Sequence, residues 1–405
     1  MGKVATEATL QQGVDLLGAI ARKQINFFDD YDAIAEIVKK GLASKVFKIG
    51  DQIPSTWNDG TNDYELPWDV VDFRNVVNAE GETVPAMILQ AHWALPGIMF
   101  DASEAAYVPA EAMPPGKYNI SIGNDWGTHC KAGKIYTFST TIEIPAGGQV
   151  VITREGNNQY NWQASDYAPT SWVVYTYVSA DSKTPIEGPI ALTEGAEGTS
   201  LGVLTTSEKY AEAGINNLQR AACGYVRYSH SAIRQWLNSD ADVNKWWTAQ
   251  NPFDRPPKQL ASMRGFMAGL SADFLKIVNP IQITTALNTI SDIDLGTAET
   301  ITDTFFLPSL EEEYINPQAK NVEGPYFEYW KQRLALDAPQ GWYADHTNVN
   351  HIRYLISDHA LAQAVRLRSA VRGSACTAWY VTSSGTVNGS SAVGAYCPAP
   401  ACAIC

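Results

Sequence analysis

The most reactive side chains of this sequence are cysteines near its end. Four of the six cysteines, Cys376, Cys397, Cys402 and Cys405, lie in the last 30 residues. Thiolates are soft ligands for copper and zinc, so a metal or redox site is one interpretation. The C-x4-C-x2-C spacing is not that of a familiar zinc knuckle, however, and it falls in an apolar Pro/Ala tail. Buried structural cysteines are therefore favoured, and no metal or other cofactor is expected.

Histidines and carboxylates offer weaker candidates. His346, His351 and His359 are spaced by five and eight residues, which fits no single helical face, so solvated or capping roles are favoured over a metal cluster. The acidic run 311–313 is predicted to be a solvated helix start, with a calcium site as the alternative. A Gly-rich phosphate loop, a nucleophile elbow and a Ser/His/Asp set are not found. The sequence thus favours a protein that is not an enzyme.

The C-terminal segment 373–405 has an unusual composition. It contains no Asp, Glu, Lys, Arg or His. A hairpin is predicted from residue 377 onward, with Trp379 and Val381 on one face and Tyr380 and Thr382 on the other. Tyr, Ser, Gly and Asn are the residues that adaptable binding surfaces use. From the residues alone, plain core strands and a recognition surface are equally favoured.

Periodicity in the rest of the chain predicts three domains of an α+β protein. Residues 1–45 read as an N-terminal helical segment, either an oligomer seam or attachment arm or a helix packed on its own domain. Residues 46–195 are predicted to form a β-rich, sandwich-like module, with strands at 84–91, 117–122, 134–144, 149–153 and 172–178. Residues 196–405 form the third domain. One helix is predicted to begin after a cap at Ser229 or Ser231, and a second is predicted over 271–279, ahead of a short strand that runs into a turn over 302–310.

Composition excludes several classes of function. A chain of 405 residues is long enough for two or three domains. The net charge of −14 argues against binding nucleic acid, which needs clustered Lys and Arg. Apolar runs fall short of the ~20 residues that span a bilayer, so no membrane insertion is expected. The N-terminus lacks an apolar signal core, and no signal peptide is predicted.

Motifs spread over residues 200–405 together resemble a protein family of phages and prophages of gut bacteria. They are Arg227-Tyr-Ser-His-Ser-Ala-Ile-Arg-Gln-Trp-Leu-Asn-Ser, Trp246-Trp247, Pro252-Phe-Asp-Arg-Pro-Pro, Gly265-Phe-Met-Ala-Gly-Leu, Phe305-Phe-Leu-Pro-Ser, Leu367-Arg-Ser-Ala, Ala378-Trp-Tyr-Val and Gly385-Thr-Val. That family is similar to the formylglycine-generating-enzyme branch of the C-type-lectin fold. Its members with an uncharged C-terminus resemble the variable proteins of diversity-generating retroelements.

The resemblance implies a C-type-lectin-like variable domain whose exposed positions are diversified when template adenines mutate during reverse transcription. The scaffold positions would be Arg368, Ser369, Cys376, Ala378, Trp379, Val381, Gly385 and residues 398–405. The diversified, ligand-binding positions would be drawn from Gly373, Ser374, Thr377, Tyr380, Thr382, Ser383, Ser384, Asn388, Gly389, Ser390, Ser391, Gly394 and Tyr396. Two features depart from the pattern. Arg366 stands where relatives usually have Trp, and Tyr396-Cys397-Pro398 replaces a frequent Arg-Pro or Arg-Cys step, which makes Cys397 a candidate diversified position.

The resemblance also implies a location and a kind of partner. It suggests a virion or other phage-encoded structural component that binds a protein or glycan on a cell surface, and by analogy a homotrimer. Two alternatives stay open. One is a purely structural virion or appendage component, and the other is a carbohydrate-binding protein of fixed specificity. Because the sequence has no Glu-Pro-Asn triplet, calcium-dependent sugar binding is not expected.

Overall fold

The computed structural model describes residues 30–154, 172–207, 209, 214–318, 320–335, 338–339 and 347–405. Strands make up 37% and helices 16%, so the predicted mixed class is confirmed at that level. The helix predicted within residues 7–29 and the candidate ligand His346 lie outside the described residues. No described helix has the length and apolarity needed to cross a membrane.

The helices are short, and their N-caps explain where they begin. Asp30 caps the first helix by accepting a hydrogen bond from the Ala33 amide at 3.0 Å. Ser231, one of the two predicted caps, precedes one later helix, and Ser271 caps another. The described α-helices are α1 (Tyr31–Lys39), α2 (Ala43–Val46), α3 (Leu218–Cys223), α4 (Ala232–Leu237), α5 (Ala272–Ile277) and α6 (Glu328–Leu334).

The described strands are numbered in chain order. They are β1 (Gln52–Ile53), β2 (Thr56–Asn58), β3 (Asp63–Glu65), β4 (Trp68–Val77), β5 (Thr83–Ala91), β6 (Ile98–Met99), β7 (Gly116–Ile122), β8 (Ile135–Thr140), β9 (Gln149–Arg154), β10 (Trp172–Tyr177), β11 (Glu187–Ala191), β12 (Thr193–Glu194), β13 (Thr199–Leu204), β14 (Ile281–Ala286), β15 (Ala298–Asp303), β16 (Phe305–Phe306), β17 (Arg353–Leu355), β18 (Asp358–Gln363), β19 (Val365–Ala370), β20 (Thr377–Val381), β21 (Val387–Ser391), β22 (Ala395–Tyr396) and β23 (Ala401–Ile404).

A five-stranded antiparallel sheet joins the two ends of the described chain. Its order is β1-β4-β5-β23-β16, so the C-terminal strand β23 inserts beside β5. The largest buried cluster lies on this sheet and contains Trp68, Leu89, Trp236 and Phe305. Helix α1 contributes Ile34 and Val38 to the same cluster. The sheet and its core therefore extend across the boundary predicted at residues 195/196.

Two smaller sheets share a second core. One has the order β12-β8-β7-β13 and the other β11-β10-β9. Their apolar side chains, which include Ile120, Phe138 and Trp172, form one buried cluster with Cys223 and Cys376. The stretch 46–195 is thus divided, since β1, β4 and β5 belong to the central sheet. The second core also reaches into the C-terminal segment through Cys376.

The acidic run 311–313 is not the solvated helix start that the sequence predicts. It forms a turn in which Glu312 and Glu313 are 5% and 2% exposed. Glu312 pairs with the buried Arg368, and Glu313 accepts a hydrogen bond from the Gln90 side chain at 3.1 Å. These partners lie 56 and 223 residues away along the chain, so local sequence carries no sign of them.

The predicted solvated role is also wrong for His351. Its ring is 2% exposed, and Nε2 lies 3.1 Å from the carbonyl oxygen of Glu313. Burial lowers the pKa of His351 to about 4, which keeps the ring neutral near pH 7. His359 is exposed on β18 and stacks on Trp93, with ring centroids 3.8 Å apart.

Glu313 is expected to make the protein less stable as the pH rises. Burial raises the pKa of its carboxyl from 4.5 to about 7. Because the folded-state pKa exceeds the unfolded one, the carboxyl's contribution to stability is complete below 4.5 and is lost as the pH rises through 7. A difference of this size corresponds to about 3 kcal/mol.

The variant Glu313→Gln tests this expectation, because glutamine can keep the bond from Gln90 and carries no charge. Urea unfolding at about pH 5 and about pH 8 should show a larger loss of stability in the wild type than in the variant. Parallel losses in the two proteins would contradict the assignment.

Candidate functional site

The C-terminal hairpin forms with the predicted alternation of side chains. Strands β20 and β21 pair antiparallel, with Trp379 opposite Gly389 and Val381 opposite Val387. Trp379, Val381 and Val387 enter a buried cluster with Leu310 and Leu367. Strand β19 pairs with the other edge of β20, which completes a three-stranded sheet. One face of β20 is thereby fixed in the core.

The turn of this hairpin is held against the segment 347–349. Gly385 has a φ of +83°, a conformation that favours glycine. A Cβ atom added there would lie 2.1 Å from the carbonyl oxygen of Asn348. The Gly385 oxygen also accepts a hydrogen bond from the Asn348 amide at 3.2 Å. Close approach and backbone conformation both require glycine at this position.

Exposure separates the two sets of positions that the resemblance assigns. Every predicted scaffold residue is buried except Cys405, which is half-buried. Every residue of the predicted ligand-binding set is at least partly exposed, whereas Cys397, the further candidate diversified position, is buried. The fully exposed ones are Gly373, Ser383, Ser384 and Asn388. The half-buried ones are Ser374, Thr377, Tyr380, Thr382, Gly389, Ser390, Ser391, Gly394 and Tyr396.

Eight of the 13 predicted ligand-binding residues fall into two groups. The other five, Gly373, Ser374, Thr377, Gly389 and Ser391, lie outside both; Ser374 Oγ donates to Thr377 Oγ1 at 2.9 Å. Tyr380 and Tyr396 stack at 4.3 Å between ring centroids, and the Tyr396 hydroxyl donates to Ser390 Oγ at 3.0 Å. Asn388 lies opposite Tyr380 in the strand register, which extends this group along β21. Residues 382–384 instead occupy the turn, where the Thr382 and Ser384 hydroxyls lie 2.8 Å apart. Tyr380, Asn388, Ser390, Gly394 and Tyr396 form what we call the tyrosine surface. Ser391 lies opposite Thr377 on the other face of the hairpin, where its hydroxyl contacts Cys223.

A buried arginine lies beside the tyrosine surface. The Arg366 side chain is fully buried, and its guanidinium carbon is 4.4 Å from the Tyr396 ring centroid and 5.8 Å from that of Tyr380. Both distances are within the range of a cation–π contact. Burial raises the pKa of Tyr380 to about 12 and lowers that of Arg366 to about 10. At neutral pH the phenol is therefore protonated and the guanidinium charged.

Sequence reasoning missed several residues at this surface. Arg366 stood out only as a departure from the family's pattern, because all six residues of β19 are buried and the strand shows no alternation. Thr386, Val393 and Ala395 also reach solvent but were assigned to neither set. The signal that could have found Arg366 is its charge, since the sequence beyond residue 372 has none.

A polar cavity of about 190 Å³ lies outside the predicted site. Its lining includes Arg220, Tyr225, Arg227 and His230. Arg220 pairs with the buried Glu104 at 2.7 Å, and Arg227 pairs with Glu299. Arg227 and His230 belong to the motif that begins at residue 227, and the ion pair of Arg227 with Glu299 gives that motif a structural role.

The cysteines are separated in the fold. All six are free thiols, and only Cys405 is not fully buried. Cys397 Sγ donates to Gln363 Oε1 at 3.4 Å, whereas Cys402 lies within β23 of the central sheet. Cys376 contacts Cys223 at the end of α3. Within the described ranges, no three His, Cys, Asp or Glu side chains are placed to hold a metal ion.

Comparison with known proteins identifies a family for the C-terminal half. No curated protein and no solved structure gave a match. One family model, described as a domain of unknown function (DUF6273), matches residues 202–405, which is half of the chain. The match includes α3 to α6 and the whole tyrosine surface. The chain therefore belongs to the DUF6273 family.

Proposed function

We propose that this chain is a non-enzymatic display protein that binds ligands through a diversified C-terminal surface. In this proposal residues 196–405, together with the strands β1, β4 and β5 that complete the central sheet, form a C-type-lectin-like domain of the kind found in the variable proteins of diversity-generating retroelements. The remainder of the chain attaches that domain to a virion or another phage-encoded structure. The ligand is a protein or glycan on a cell surface, and a homotrimer would raise avidity for weak sites.

One observation carries the proposal, the separation of exposed from buried positions in residues 373–397. A surface that is rewritten repeatedly must leave the core untouched, because surface substitutions usually change stability by less than about 0.5 kcal/mol. Trp379 and Val381 face the core. Tyr380 and Thr382, which alternate with them along the chain, are partly exposed to solvent. Such an arrangement tolerates variation on one face of the same strand that holds the fold together.

The tyrosine surface has the chemistry of a recognition surface. Tyrosine supplies large, rigid contact area at low entropic cost, and small polar residues supply adaptable hydrogen bonds. The stack of Tyr380 on Tyr396 and the bond to Ser390 restrict both rings before any ligand arrives. Pre-organisation of this kind reduces the entropy lost on binding.

The double variant Tyr380→Ala/Tyr396→Ala is expected to lose binding at least tenfold while the melting temperature changes little. Half-buried tyrosines at the centre of a contact surface dominate binding, whereas their contribution to the core is small. The measurement is binding of labelled protein to a panel of bacterial cells and to an array of bacterial surface glycans, beside a thermal melt.

Tyr354 provides a matched control. It is 37% exposed on β17, outside the predicted set, so Tyr354→Ala should retain binding to the same cells and glycans. Two results would refute the proposed surface. One is full binding by the double variant, and the other is a collapse of its melting temperature, which would make the two tyrosines core residues.

A further inference from the structure

Arg366 differs from Arg220 and Arg368, the other two arginines that are at most 1% exposed, in its lack of a counter-ion. Arg220 pairs with Glu104 at 2.7 Å, and Arg368 pairs with Glu312. No carboxylate of the described residues lies within ion-pair distance of Arg366. Removing a charge from water without a partner is costly, so this arrangement requires compensation from elsewhere.

The compensation that the protein supplies is dipolar. The Arg366 guanidinium donates to the carbonyl oxygens of Ala378 at 2.8 Å, Ser390 at 3.1 Å, Ser391 at 2.9 Å and Gly394 at 3.2 Å. Its Nε is buried and has no hydrogen-bond partner. These carbonyls hold the side chain and orient β21 and the turn after it. Because carbonyl groups carry no net charge, these hydrogen bonds do not neutralise the positive charge of Arg366 beneath the tyrosine surface.

We propose that the ligand of the tyrosine surface is an acidic sugar, whose carboxylate is attracted by the positive charge of Arg366, a charge that no carboxylate of the described residues pairs. The inference rests on the proposed function and specifies the ligand's chemistry. Arg366 acts at a distance, through its electric field, since it is fully buried and its two terminal NH2 groups already bond carbonyl oxygens. The ligand itself contacts the partly exposed rings and hydroxyls above it.

The distances from Arg366 to the two tyrosine rings are short enough for its charge to change the affinity for an anionic ligand. A group in van der Waals contact with either ring lies about 8–10 Å from the guanidinium, given the ring distances of 4.4 and 5.8 Å. At an effective dielectric constant of about 20, a pair of unit charges at that range changes affinity by roughly tenfold or more. Residues 373–405 contain no charged side chain that would oppose it. The chain's net charge of −14 would repel anions in general, so a preference for anions at this surface must be local.

The other groups of the surface favour a sugar over an acidic peptide. Ser390 and Asn388 each offer both donors and acceptors, which match the paired donor and acceptor character of sugar hydroxyls. The rings of Tyr380 and Tyr396 offer flat apolar faces and hydroxyl tips beside them. A peptide carboxylate would use the charge but leave most of these hydroxyl groups without matched partners.

A pair of probes that differ only in charge tests the inference. D-Glucuronate and D-glucuronamide share one ring, and only the first is an anion. Each is titrated into the full-length protein at low salt, and binding is followed by NMR of the tyrosine surface. Glucuronate is expected to bind about tenfold more tightly, and the difference should shrink at high salt. Equal affinities overturn the inference, as does binding of N-acetyl-aspartate without binding of glucuronate.

Two further measurements assign the preference to Arg366. Arg366→Gln should abolish the preference for glucuronate, whereas Arg264→Gln, which removes the same charge outside the C-terminal sheet, should keep it. Arg366→Gln also removes hydrogen bonds that hold the C-terminal sheet. The electrostatic potential at the surface of the wild-type protein is therefore measured independently, by comparing how strongly anionic and cationic nitroxides broaden the amide NMR signals. A positive potential at residues 388–396 is expected, and a zero or negative one refutes the role of Arg366.

Failure of this inference is distinguishable from failure of the proposed function. If neither sugar binds but the Tyr380→Ala/Tyr396→Ala variant loses its binding to cells, the acidic-sugar inference is wrong and the binding surface stands. If that variant binds cells as the wild type does, the proposed surface itself is wrong.

Discussion

Replacement of Trp379 by alanine is expected to lower the free energy of unfolding by about 3–5 kcal/mol. Trp379 is 5% exposed and lies in the buried cluster that joins the C-terminal sheet to Leu310 and Ile315. Truncation removes a large apolar surface from this cluster and leaves a cavity. Denaturant unfolding, followed by tryptophan fluorescence and by circular dichroism, measures the loss.

The neighbouring variant Tyr380→Ala serves as the control. The two residues are adjacent on β20 but point to opposite faces, and Tyr380 is half-buried. Its replacement should cost about 1 kcal/mol or less, in line with a surface position. Equal losses for the two variants would mean that both faces of β20 are core, which contradicts the division between scaffold and diversified positions.

Replacement of Arg368 by methionine is expected to cost about 3–5 kcal/mol, because it leaves buried carboxylates without their cation. Arg368 pairs with Glu312 and donates to the carbonyl oxygens of Glu323 at 2.7 Å and Leu307 at 2.8 Å. The Glu323 carboxyl in turn accepts a hydrogen bond from the Ser369 hydroxyl. Burial raises the pKa of Glu323 and the Arg368 charge opposes that rise, so loss of Arg368 would favour its protonation.

The double variant Arg368→Met/Glu312→Gln separates loss of charge balance from loss of packing. Removing the unpaired carboxylate should recover at least about 1 kcal/mol of the single variant's loss. Urea unfolding of the three proteins at neutral pH provides the comparison. A single variant within about 1 kcal/mol of wild type, or a double variant no more stable than the single one, would contradict the role assigned to this ion pair.

Local patterns predicted those parts of the fold whose determinants are local. The caps Ser231 and Ser271 precede their helices because a hydroxyl before an apolar stripe satisfies the first free amides. The hairpin of β20 and β21 follows from alternation around Trp379 and from the glycine that its turn requires at Gly385. The alternation placed Tyr380 and Thr382 opposite Trp379 and Val381, but the choice of binding positions rested on the resemblance, because the residues alone favoured core strands and a recognition surface equally.

Contacts between residues distant in sequence could not be predicted in this way. Strand β23 has an apolar sequence, but nothing in it indicates pairing with β5, more than 300 residues earlier. Glu312 and Glu313 are charged residues that local sequence would place at the surface. Their burial depends on the distant partners Arg368 and Gln90. Arg366 is comparable, because its position beside Tyr380 and Tyr396 arises only when β19, β20 and β22 come together.

Sequencing of the 3′ end of this gene from many sibling genomes tests the central claim most directly. The flanking DNA should be searched at the same time for a near-copy of the segment and for a reverse transcriptase gene. The proposal predicts that substitutions cluster within codons 373 to 397, match adenines of the template and spare the buried positions Cys376, Ala378, Trp379, Val381 and Gly385. An invariant segment with no template copy would contradict diversification, and would leave a binding protein of fixed specificity or a purely structural component.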